Sequence, residues 1–89
     1  MIDTTKMNDR EILLWIESIK KELKTRKEYK KTTDTELNNI VMDGMFQGFV
    51  NGELRRIDLA AIARVLGFRL SDDFLNDPNP DPYELKHRK

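Results

Sequence analysis

The chain has 89 residues, of which 38% are hydrophobic and 36% charged; sixteen basic side chains cancel sixteen acidic ones, and cysteine is absent. A domain of this length buries only about 60–65% of its unfolded surface, enough for one small core and a stability of a few kcal/mol. Zero net charge excludes a uniformly basic nucleic-acid wrapper and a uniformly acidic mimic, and the lack of cysteine excludes disulfide scaffolds, thiolate zinc sites and cysteine nucleophiles.

No apolar run, Ile12 to Ile16 included, exceeds five residues, far short of the ~20 that a membrane span needs. The first residues lack the charged, apolar, small-residue order of a signal peptide. Cytoplasmic residence without membrane contact is therefore the expectation.

The neutral total conceals a division. Residues 1–31 carry nine basic and six acidic side chains, residues 32–81 four and nine, and the last eight residues three and one. The corresponding sums are +3, −5 and +2. Every basic residue between 32 and 81 is arginine (Arg55, Arg56, Arg64, Arg69), whereas the first segment is mostly lysine. Lysine suits a solvated face; arginine suits planar, partly desolvated contacts.

The first helix is expected to start at Asn8, with Glu11 completing a capping box and Met7 with Ile12 as hydrophobic staple. Ile12, Trp15, Ile16, Ile19 and Leu23 recur at helical spacing and form its core stripe. Beyond Leu23 the stripe stops, and the run to Lys31 is expected to fray or project. Lys20, Lys21, Lys24, Arg26, Lys27, Lys30 and Lys31 stand against Glu22 and Glu28, a net +5 over twelve residues. From this cluster Lys20, Lys24, Lys27 and Lys31 are candidate contacts to phosphates or an acidic partner.

Thr33-Asp34-Thr35-Glu36 is a second capping box, opening a helix near Asp34. Leu37, Ile40, Val41, Met45 and Phe49 keep the helical period across Gly44 and Gly48, and Asn51-Gly52 reads as the stop. Gly44-x-x-x-Gly48 with Met42, Met45, Phe46 and Phe49 combines a strip open to close backbone approach with deformable apolar side chains. A third helix is capped by Asp58, with Leu59, Ile62, Ala63 and Leu66 inward and Gly67 as its end. Ser71 caps a short fourth helix. Asp77-Pro78-Asn79-Pro80-Asp81-Pro82 then forces extended geometry.

The predicted fold is all-α: a bundle of three main helices plus a short fourth within residues 1–76, followed by an extended, mobile tail over 77–89. The Asp77-x-Asn79-x-Asp81 spacing imitates the start of a calcium loop, but Pro82 and Arg88 stand where that loop needs glycine and a bidentate glutamate. His87 is the only histidine, and it lies in the tail, unheld for general-base work. No catalytic residue, metal or cofactor is expected, so the chain reads as a non-enzyme.

Phe49-Val50-Asn51-Gly52 followed by Arg55-Arg56, Ile62-Ala63, Leu66-Gly67 and Leu70-Ser71 resembles the second half of Cro/C1-type helix-turn-helix domains, including small addiction-module antitoxins. The resemblance covers residues 49–75 and implies a DNA-binding regulator. Upstream, the turn glycine of that motif falls on Ile40 or Gly44, depending on the anchor. Only Gln47 and Asn51 then offer base-reading groups, whereas direct readout needs donors and acceptors at the start of the recognition helix.

The favoured expectation is a small regulator or inhibitor that binds another protein, or a second copy of itself, through Met42, Met45, Phe46, Phe49, Arg55 and Arg56. DNA binding through a degenerate helix-turn-helix is the alternative.

Overall fold

A computed structural model of the protein describes residues 2–88. The order of elements is a 3-10 turn (Thr4–Lys6), α1 (Asp9–Lys24), a second 3-10 turn (Lys27–Tyr29), α2 (Asp34–Val50), α3 (Arg56–Leu66), α4 (Asp72–Leu75) and α5 (Pro82–Lys86). The fold is an all-α bundle, as the residue pattern predicts, and strands are absent among the described residues. No helix among them is long and apolar enough to cross a membrane.

Local chemistry sets most helix boundaries. Asn8 Oδ1 accepts the Glu11 N–H at 2.8 Å, and Glu11 Oε1 accepts the Asn8 N–H at 3.1 Å. This capping box satisfies two donors that the first turn would otherwise leave unpaired. Thr33 Oγ1 accepts the Glu36 N–H at 3.2 Å, and Ser71 Oγ the Phe74 N–H at 3.2 Å, each without the reciprocal bond of a full capping box. α2 runs unbroken through Gly44 and Gly48 and stops at Asn51-Gly52. There Gly52 adopts φ +76°, a left-handed conformation that costs a side-chain-bearing residue roughly 1–2 kcal/mol.

The three main helices pack against one another. Ile12 and Ile16 of α1, Leu37, Val41, Met42 and Phe49 of α2, Leu54 of the connection, and Leu59, Ala61, Ile62 and Ala63 of α3 are buried. Ile16, Leu59 and Ile62 are 0% exposed, and each such side chain contributes about 1.5–3 kcal/mol of transfer free energy.

Three expectations are corrected. α3 starts at Arg56 rather than after an Asp58 cap, and Asp58 lies inside its first turn, 1% exposed. Its carboxylate accepts from the Thr4 N–H at 2.9 Å and the Thr4 hydroxyl at 2.6 Å. A partner 54 residues away thus claims the side chain that local pattern assigns to capping. The lysine-rich end of α1 does not simply project: after the Thr25 cap the chain turns through Lys27–Tyr29, with Tyr29 half-buried. Finally, the tail expected to be extended contains α5, with Pro82 in the first helical turn. Proline is tolerated there because its missing N–H would be unpaired in any case.

Candidate partner-binding groove

The Gly44-x-x-x-Gly48 strip borders an open groove of about 460 Å³. Its apolar lining comes from Ile2, Trp15, Met45 and Leu54 beside Gly44 and Gly48, and Gly52, Glu53, Lys86 and His87 complete it. This volume falls in the range of ordinary ligand clefts, roughly 300–1,000 Å³.

The two glycines differ. A Cβ on Gly48 would lie 3.2 Å from Leu54 Cδ1, so this position is small because the connection after α2 packs on it. A Cβ on Gly44 meets open space among the described residues. Gly44 is exposed, within a helix and outside the positive-φ region. Glycine there costs the helix about 1 kcal/mol relative to alanine, and the packing within this chain does not require it.

The residues expected to form one contact surface are distributed over three environments. Met45 lines the groove. Met42 and Phe49 are core residues, 5% and 7% exposed, and are corrected as contact residues, since they offer a partner almost no surface. Phe46 is 36% exposed but faces away toward α4, its ring 5.9 Å from that of Phe74. The cause is the period of α2: positions one apart are turned by about 100°, so Met45 and Phe46 serve different faces.

Arg55 and Arg56 are engaged within the chain. Arg55 Nε donates to Asp58 Oδ2 at 2.9 Å, and Nη2 to Asp3 Oδ1 at 2.7 Å. Burial pushes the Asp58 carboxyl up, but the hydrogen bonds from Arg55 and Thr4 outweigh it and hold the group below the usual carboxylate range. Arg56 Nη1 donates to Asp81 Oδ1 at 2.6 Å, and its backbone N–H to Asp81 Oδ2 at 2.8 Å. The Arg56 guanidinium lies 5.2 Å from the Phe49 ring centre and 5.0 Å from that of Phe74, within cation–π distance of both.

Among the lysines, Lys20 is corrected as a phosphate contact. It is 4% exposed, with Nζ 2.6 Å from Asp34 Oδ1 and 3.1 Å from Glu17 Oε1. Burial pulls its ammonium down, but the bonds to Asp34 and Glu17 prevail and hold it above the usual lysine range. Lys24, Lys27 and Lys31 are exposed.

Residue pattern missed Trp15, Ile2 and Leu54 as groove residues. Periodicity assigned Trp15 to the core stripe, and it does pack against the core, but it stands half-buried at the stripe's edge. A signal was present in Ile12 and Ile16, whose four-residue spacing puts them on the axis of the stripe with Trp15 beside it.

No family model, curated protein or solved structure matches the chain. The resemblance over residues 49–75 stands on those residues alone. At both positions where a helix-turn-helix would turn, Ile40 and Gly44, the chain is inside α2.

Proposed function

We propose that the protein is a small non-enzymatic regulator or inhibitor that acts by receiving an apolar segment of another protein in the Trp15–Met45 groove. Gly44 carries this reading. It holds open space beside Met45 and Trp15 at a cost in helix propensity, and close approach of a partner backbone would account for that cost. Half-buried Met45 supplies the adaptable contact that methionine gives at binding surfaces.

The experiment compares Met45→Glu with Ile57→Glu, which changes an apolar residue 55% exposed outside the groove. Affinity capture from native cytoplasm should recover a partner with wild type and Ile57→Glu and lose it with Met45→Glu, all three chains giving the same helical circular dichroism. Equal retention by Met45→Glu and wild type would refute the groove as the docking surface. A second copy is the other occupant considered, and sedimentation showing only monomer at high micromolar concentration removes it.

DNA binding is favoured by one observation, the exposed Lys24, Lys27 and Lys31. It requires affinity that falls steeply with salt, because each neutralised phosphate releases counterions. Absence of duplex binding below about 100 μM at low salt would exclude it, since non-specific binding alone reaches 10⁻⁴–10⁻⁶ M.

A further inference from the structure

The C-terminal segment contributes to the groove, and it is held by an ion pair upstream of α5 and by packing of α5 on the Gly52 turn. Lys86 and His87 belong to the groove lining, together with Trp15. They reach it because α5 crosses the Gly52 turn, where a Cβ on Gly52 would lie 3.1 Å from the Pro82 carbonyl oxygen and 3.0 Å from Lys86 Cδ. Lys86 Nζ donates to the Asn51 carbonyl at 3.3 Å.

Asp77, Asp81, Pro82 and Tyr83 are half-buried, but the end of the segment is not. Every residue from Glu84 to Arg88 is exposed, with Leu85 at 54%. A five-residue helix is also far below the roughly 12–15 residues at which an isolated helix becomes even marginal in water. Its fastening lies upstream, where Asp81 receives both the Arg56 side chain and the Arg56 backbone N–H, with Asp77 Oδ2 3.7 Å from Arg56 Nη2. The pair is partly buried, with side chains 16% and 20% exposed and the Arg56 guanidinium against the Phe49 and Phe74 rings. Salt therefore screens it less than a surface pair, and removal of the Asp81 carboxylate is the direct way to open it.

We infer that residues 77–88 form a releasable latch: the Arg56–Asp81 fastening holds Lys86 and His87 at the edge of the groove, and opening it widens access to Trp15. The latch limits the width of the groove, since Lys86 and His87 line it together with Trp15. Its regulatory purpose rests on the docking reading above, but its existence is measurable without any partner.

Trp15 is the only tryptophan, so acrylamide quenching of the full chain reports the groove directly. In Asp81→Ala the quenching constant should rise about twofold and amide exchange at Leu85 and His87 at least about tenfold, while circular dichroism stays helical. Asp81→Asn keeps one oxygen to accept the Arg56 N–H but replaces the acceptor for Nη1 with an amide NH2 and removes the charge, so it tests the fastening even if the alanine variant fails to fold. A rise in Trp15 quenching in the asparagine variant supports the latch, and unchanged quenching and exchange in a folded variant overturn it. A latch that opens in this assay while Met45→Glu retains the partner would count against the docking reading alone.

Discussion

Arg55 and Arg56 are adjacent and chemically identical, yet they fasten opposite ends of the chain. Arg55 turns toward the N-terminal turn, where it meets Asp58 and Asp3 beside Thr4. Arg56 turns toward the C-terminal segment, where it meets Asp81 and Asp77. The carboxylates Asp58 and Asp81 differ in burial, although the Arg56 side chain (16% exposed) is less exposed than that of Arg55 (34%). The Asp58 side chain is 1% exposed and accepts from Thr4 as well as Arg55, whereas Asp81 is 20% exposed and Arg56 Nε lacks a hydrogen-bond partner among the described residues. A buried carboxylate with all its donors in place is part of the core. A partly exposed one is a closure that solvent and salt can reach.

The sharpest way to break this comparison is to remove each carboxylate. Asp58→Ala leaves Arg55 and the Thr4 donors without their acceptor in a buried place and should cost about 3 kcal/mol, measured by urea unfolding. Asp81→Ala should cost only about 1 kcal/mol, the worth of a helix-end acceptor and a partly exposed ion pair. Equal costs would mean that the two fastenings are energetically alike, and the distinction between core and latch would fall.

Acid sharpens the same contrast. The Asp58 carboxyl is held below its ordinary value of 3.8 in the folded protein. Its contribution is therefore complete above that ordinary value and is lost as pH falls through the lowered one. Urea midpoints should drop below about pH 4, and Asp58→Asn should flatten this dependence. A wild-type midpoint independent of pH in that range would contradict the assigned role of Asp58.

The smallest effects concern the two glycines. Gly44→Ala should stabilise the chain by up to about 1 kcal/mol, since a Cβ there meets open space. Gly48→Ala should gain nothing or lose stability, because its Cβ would sit 3.2 Å from Leu54. Thermal unfolding of both variants checks the sign. A stability loss for Gly44→Ala would show that the fold itself requires this glycine.

What could be read in the sequence follows the range of the interactions involved. The caps at Asn8, Thr33 and Ser71 act over three residues, and they are legible because both partners sit in one short window. The start of α3 and the C-terminal helix escape local pattern for the opposite reason: Asp58 is claimed by Thr4, and Asp81 by Arg56, 25 residues away. Pattern in α2 likewise gives direction around a helix but not depth, so Met42 and Phe49 read as partner contacts and lie in the core. Gly44 and Met45 were legible as unusual, whereas Trp15 and Leu54, which complete the groove with them, come from other parts of the chain.

The docking role of the groove is tested most directly by filling it from within. Gly44→Leu places a side chain in the open space beside Met45 and Trp15, at a helix position where leucine is a good helix former. Titration of the partner recovered by wild type should show a folded Gly44→Leu chain binding at least about tenfold more weakly, a loss of about 1.4 kcal/mol. Unchanged affinity in that folded variant would contradict the account, because a partner seated in this groove could not tolerate the added side chain.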